Sequence, residues 1–419
     1  MKKRFVLWTV ILFPIYAYLV YLYLFHWTGT GVPASYQGTA ADPATFMTAK
    51  ELELSQDFSR YKDFLFFVGL PLEGLIYLGV LIFGVSPIFK QFGERLSRFS
   101  FVKIPIYVLL LSAFTWILTF PIYYAERMLS VAYGISTQSF SSWMRDELLG
   151  FWIGVLIMSV LITVLYWLMK RFTKRWWLYA WILLIPFLIF MMYIQPVVID
   201  PLYNDFSELD DPVLQEKILN MADEADIPAE RVYEVDMSEK TNAMNAYVNG
   251  IGSNLRIVLW DTTLNHLKDR EVLFIMAHEI GHYVMNHLYY NLAGVIISSL
   301  VGLYLAYRLL HMVIRKWGSS WGVKNVADIS SLPALFIILS LLSFAASPIE
   351  LAISRDAEKA ADMYAIEMTE DKEAAVGAFQ ELTVNGLTDV NPPALVKFFR
   401  YGHPTMMERI LMLKEHGKE

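Results

Sequence analysis

His278-Glu279-Ile280-Gly281-His282 places two imidazoles four residues apart, with a glutamate beside the first. On a helix such positions share one face, so both rings reach a single zinc ion. Zinc held this way acidifies water, and Glu279 stands where a general base is needed. The chemistry implied is peptide-bond hydrolysis with one zinc per chain. It requires a third protein ligand, a donor to the developing oxyanion and a surface for substrate.

The candidates lie in three further stretches. Ser354–Asp362 carries Glu358, a third ligand for zinc. It also carries Asp362, one turn on, which can accept a hydrogen bond from a ligand histidine and set its tautomer. Asn245-Ala246-Tyr247-Val248 alternates like a strand just ahead of the metal helix. Thermolysin-like zinc peptidases use such an Asn-Ala-aromatic strand to pair with an extended substrate. His403-Pro404 and Glu408-Arg409 offer an imidazole and a guanidinium for the oxyanion. His26, His266, His287, His311 and His416 read as ordinary surface residues. His287 in particular is five residues past His282, a spacing that turns it off the ligand face.

These residues must be held by an unusually apolar chain. Of 419 residues, 56% are hydrophobic and 18% charged. Soluble domains carry about 25% charged residues. The mean hydropathy is +0.42. The apolar sequence falls into seven blocks of the ~20-residue length that crosses a bilayer: Phe5–Phe25, Phe64–Ile88, Ile104–Tyr124, Leu148–Met169, Trp176–Val198, Leu292–Ile314 and Leu332–Ile353. The first exceeds a signal-peptide core and reads as a retained anchor. Pro14, Pro71, Pro105, Pro121 and Pro186 fall within blocks, as bundled membrane helices tolerate. Glu73 falls there too and must face protein or water.

Two stretches are polar. Residues 200–290 have helical spacing over Asp211–Ala225, strand-like alternation at Arg231–Val235 and Arg256–Trp260, and a helix over Arg270–His287 with the metal motif. Residues 354–419 are helical, with a loop near Gly386–Pro393. The expected division is thus 1–199 with five spans, 200–290 as the first peptidase part, 291–353 with two spans, and 354–419 as the second peptidase part. The fold class is mainly α and polytopic, with a small α+β, gluzincin-like peptidase domain.

Basic clusters at Lys2–Arg4, Lys90–Lys103, Lys170–Arg175 and Arg315–Lys324 mark alternate connections. The positive-inside rule then puts the N-terminus in the cytoplasm and both polar stretches outside. A net charge of −7 favours no nucleic-acid partner, and the partners expected are the lipid bilayer and a peptide or protein substrate. The absence of cysteine excludes disulfides, thiolate ligands and a cysteine nucleophile.

Taken in order, the motifs resemble the type I CAAX prenyl endopeptidases, integral-membrane zinc metallopeptidases. The resemblance runs from Pro196–Asn204 through Asn245–Tyr247, Arg256–Leu259, His278–His282 and Ser354–Asp362 to His403–Arg409. It implies seven helices around a water-filled chamber capped by the peptidase domain. It implies His278, His282 and Glu358 as ligands, Glu279 as base and Asp362 as orienting carboxylate. Asn245, the Ala246 backbone and Arg409 would bind substrate, and His403 the oxyanion. The implied substrates are prenylated C-terminal C-a-a-X peptides losing three residues. In eukaryotic members the peptidase domain is cytosolic, opposite to the side the basic clusters indicate here.

Two alternatives differ in testable ways. An HtpX-like quality-control peptidase shares the zinc site but has fewer spans. A transporter or channel with an inactive peptidase domain predicts no zinc and no peptide turnover.

Overall fold

A computed structural model describes residues 2–29, 31–250 and 255–415. The chain opens with α1 (Lys2–Leu22), α2 (Ala49–Ile82), α3 (Val85–Leu96), α4 (Ser100–Ala132), α5 (Phe140–Arg171) and α6 (Trp176–Ile194). A short α7 (Asp200–Tyr203) leads to β1 (Phe206–Glu208), α8 (Pro212–Glu224), β2 (Val232–Val235), β3 (Ala246–Asn249) and β4 (Arg256–Trp260). Then come α9 (Asp261–His266), α10 (Asp269–Val284), α11 (His287–Trp321) and α12 (Leu332–Thr369). The chain closes with α13 (Lys372–Gly386), α14 (Ala394–Arg400) and α15 (Met406–Glu415).

Seven helical segments among the described residues are long and apolar enough to cross a membrane. They contain the seven apolar blocks, with one shift. Phe64–Ile88 reads through a break, because α2 stops at Ile82 and Gly84 takes a left-handed φ of +74°. Without that turn α3 would extend α2 instead of folding beside it. The spans overrun their apolar blocks: α12 has 38 residues, roughly 57 Å at 1.5 Å per residue. It runs unbroken through the expected boundary at 353–354, carrying Glu358 and Asp362 on the helix that forms the seventh span.

The spans pack thinly. The most apolar window of the seventh segment is 39% buried, and those of the other six range from 0 to 28%. Their polar groups, among them Glu73, Glu126 and Glu147, therefore need water or protein beside them inside the bundle. Glu73 accepts a hydrogen bond from Tyr77 Oη at 2.6 Å, one turn along its own helix. The buried apolar core of the bundle gathers at one end, around Tyr107, Tyr166, Trp176, Leu310 and Leu335.

The polar segments sit on the opposite end. Four strands form one sheet in the order β1-β2-β4-β3, with β2 and β4 parallel and the outer pairs antiparallel. β3 is an edge. Thr137 and Asn242 tie the α4–α5 connection to this domain, and Ser55 Oγ on α2 donates to Thr388 O at 3.0 Å. At the other end Lys2 Nζ reaches Phe83 O, and Lys90 pairs with Asp328 at 2.9 Å. The basic connections thus lie away from the polar domain.

Candidate metal centre

The helix α10 is started and stopped by local chemistry. Glu271 in its first turn accepts a hydrogen bond from Lys268 N at 2.9 Å, satisfying a donor before the first turn. Val272, Phe274, Met276, Ala277 and Ile280 give it a buried face. Asn286, at φ +58°, ends it and redirects the chain into α11. Glu358 and Asp362, one turn apart, face it from α12.

The two helices bring one donor each from His278, His282 and Glu358 within 4.8 Å of one another. The two imidazole Nε2 atoms are 3.1 Å apart. Glu358 Oε2 is 3.2 Å from His278 Nε2, and Oε1 is 3.4 Å from His282 Nε2. Both rings turn Nε2 toward the carboxylate, which leaves each Nδ1 for an outer partner.

Those outer partners differ. His278 Nδ1 lies 2.9 Å from Asp362 Oδ1. Asp362 is fully buried and is gripped by Arg409, whose Nε donates to Oδ2 at 2.8 Å while Nη2 reaches Oδ1. The guanidinium lies over the Phe379 ring, 4.1 Å from its centroid, and is itself buried. The expectation places Arg409 at the substrate; here its Nε and Nη2 are taken by Asp362, while the residue also lines the cavity beside His278 and Glu279. An unpaired Asp362 at zero exposure would be prohibitively costly, which explains the arginine.

His282 Nδ1 meets His287 Nδ1 at 2.8 Å. The reading of His287 as an ordinary surface residue is therefore wrong, although the residue stays outside the cluster of His278, His282 and Glu358. It assumed one continuous helix through His287, whereas the left-handed Asn286 folds the next helix back onto His282. No sequence spacing along a single helix signals this contact. His266 and His311 bond carbonyls one turn back in their own helices. His26 stacks edge-on with Tyr21. His416 lies outside the described residues.

Asn245, Ala246, His278, Glu279, His403 and Arg409 line one cavity of about 400 Å³. Burial pushes the Glu279 carboxyl above its ordinary value, against the pull of the neighbouring histidines. His403, 64% exposed, brings Nδ1 to 2.8 Å from Glu358 Oε2. Asn245 Oδ1 accepts from Ala246 N at 3.0 Å, so the side chain covers the backbone group expected to meet substrate. Thr263 anchors Asn245 from below, accepting from its N–H and donating to its carbonyl.

A His-Glu-x-x-His helix facing a buried glutamate, at the end of seven membrane-length helices, defines an integral-membrane metallopeptidase. The chain belongs to peptidase family M48, whose family model matches residues 208–416. A second model, described as CAAX prenyl protease N-terminal with five membrane helices, matches residues 32–205. A Bacillus subtilis (strain 168) protein named "Uncharacterized metalloprotease YhfN" is 48% identical, over 94% of this chain and 94% of that protein. The Arabidopsis thaliana "CAAX prenyl protease 1 homolog" is 26% identical over 89% of each. The crystal structure of Ste24p from S. mikatae shares the fold, with a TM-score of 0.79 and 24% identity over 98% of each chain. The protein is a multi-pass membrane metalloendopeptidase that takes a metal cofactor and acts on peptides or proteins.

Proposed function

We propose that the metal is zinc, held by His278, His282 and Glu358, and that the enzyme trims the C-terminus of membrane-tethered peptides of the prenylated C-a-a-X kind. The observation that carries the metal assignment is the donor spacing. Zinc–nitrogen bonds of about 2.0–2.1 Å in a tetrahedron put neighbouring donors roughly 3.3–3.4 Å apart. The separations here are 3.1, 3.2 and 3.4 Å. Three protein donors leave one position open for chemistry. The substrate class is supported by the names of the relatives and by the five-helix N-terminal match.

Zinc supplies a Lewis acid that acidifies water and polarises a peptide carbonyl. Glu279 takes the proton and returns it to the leaving amine, and its raised pKa suits both transfers. Asp362 fixes the proton of His278 on Nδ1, and Arg409 keeps Asp362 ionised. An extended peptide adds to the free edge of β3 at Ala246, with the Asn245 side chain swinging from the backbone to the substrate. His403 donates to the developing oxyanion after turning from Glu358. The peptidase parts are 200–290 and 354–419, mounted on spans 1–199 and 291–353. The N-terminus lies in the cytoplasm and the centre on the opposite side, a reading supported by the basic residues gathered at the far end.

Purified protein is tested on a farnesylated C-a-a-X peptide and its unprenylated twin, with cleavage products mapped. Release of the last three residues, abolished in Glu279→Gln while about one zinc per chain is retained, supports the assignment. Zinc retention without cleavage by the wild type of either peptide, or turnover surviving in Glu279→Gln, refutes it.

A further inference from the structure

At the end of the bundle away from the metal centre, a cavity of about 530 Å³ is lined by Lys90 of α3, Lys103 of α4, Lys170 of α5 and Lys324 of the α11–α12 connection. Among the described residues, only Lys90 of these four ammonium groups has an ion-pair partner, Asp328 at 2.9 Å. Asp328 also accepts from Lys324 N and Ser330 N, so it shapes the connection; it and Glu94 are the two carboxylates among the lining residues, against four lysines. Lysines from four elements thus line one cavity, Lys170 and Lys324 exposed at it, and their summed charge favours an anion there.

The surroundings identify where the anion comes from. The lining residues sit near the start of α4, the end of α5 and the connection joining α11 to α12, where four spans end. Exposed aromatic rings cluster there: Phe99, Phe101, Trp167 and Trp317. Such rings favour the headgroup level of a bilayer. On α3, Ile88, Phe92 and Leu96 are exposed at steps of four, forming one apolar stripe. The same helix turns Lys90 into the cavity and packs Gly93 so tightly on α4 that an added Cβ would lie 2.9 Å from Lys103 O. A helix with an apolar stripe beside a cationic face lies in the membrane interface.

We infer that this cavity is a binding site for the phosphate of an anionic phospholipid, with an acyl chain lying along the Ile88–Phe92–Leu96 stripe. A lipid rather than a free phosphate is the occupant, because the charged cavity adjoins an exposed apolar surface. The site is remote from the metal centre and does not depend on its chemistry.

The test uses full-length protein in neutral detergent, with phosphatidylglycerol and phosphatidylcholine as probes and bound lipid counted by native mass spectrometry. Selective retention of phosphatidylglycerol is expected. Lys103→Gln/Lys170→Gln/Lys324→Gln should weaken it roughly a hundredfold, from about fivefold per lysine at an anionic surface. The triple Lys→Arg variant should retain it, and Phe92→Ser should weaken it with the charges intact. Zinc content and hydrolysis of a soluble peptide should stay unchanged in all of them. Equal retention of both lipids by the wild type, or undiminished selectivity in the Gln variant, overturns the proposal. So does inorganic phosphate displacing the lipid at comparable concentration. If the triple Gln variant does not fold, the single variants and the Arg triple decide by graded loss of selectivity.

Discussion

Gly281 is the residue on which the metal geometry depends most sharply without touching metal. It lies between His278 and His282 on the face of α10 that meets α12. A Cβ there would stand 3.0 Å from Tyr364 Cδ1 and 3.2 Å from its Cβ and Cγ. Carbon atoms rest at about 3.5–4.0 Å, so Gly281→Ala must part the two helices by roughly 0.5 Å or turn the Tyr364 ring. A metal site tolerates ligand displacements of about 0.2 Å. His278 and His282 ride on one helix and Glu358 on the other, so the separation falls directly on the donor triangle. Overpacking costs about 1–3 kcal/mol, while replacing a helical glycine returns about 1 kcal/mol. The net change in global stability is therefore small, about 0–2 kcal/mol. Zinc affinity should fall by about 10–100-fold, the scale of a disturbed outer shell. Chelator-competition titration measures affinity, and thermal unfolding of the metal-free protein measures stability. Tyr364→Ala in the same chain removes two of the three contacts and should restore part of the affinity. Wild-type zinc affinity in Gly281→Ala would refute the reasoning, as would a loss of affinity no larger than the loss of stability accounts for.

Three further outcomes follow from the same geometry. Burial raises the Glu279 pKa, so its contribution to stability falls as pH rises from its ordinary value of 4.5. Metal-free Glu279→Gln should therefore melt higher than the wild type at pH 7, the gap closing toward pH 4; a pH-independent gap contradicts this. Arg409→Met leaves Asp362 buried without its guanidinium, with only the His278 ring beside it, and should cost about 3–5 kcal/mol in thermal unfolding, with Asp362→Asn in the same chain recovering part of it. No recovery in the double variant would deny the pairing its role. His287→Leu removes the outer partner of His282 and should weaken zinc about 10–100-fold, whereas His287→Gln keeps a polar partner and should lose less; equal losses would mean that only packing matters.

The apolar blocks were legible because a bilayer demands length and composition, which are one-dimensional properties. The helix with the metal motif was legible because its ligands repeat at a local spacing. The short strand β1 was not, since three residues carry too little alternation to read. The Phe64–Ile88 block was misjudged at its end because a single left-handed glycine, Gly84, breaks it while the hydropathy continues.

Sequence alone supplied the residue types proposed as ligands, the spacing of His278 and His282, and the glutamate beside them that is proposed as the base. It also placed Glu358 and Asp362 on one face of a second helix. Only the tertiary structure decided the partners of those ligands. Arg409 reaches Asp362 across 47 residues, and His287 returns to His282 through a turn. Periodicity records which side chains share a face of one element. It holds no information on which charges two elements bury against each other, because that follows from how helices cross and where the chain reverses.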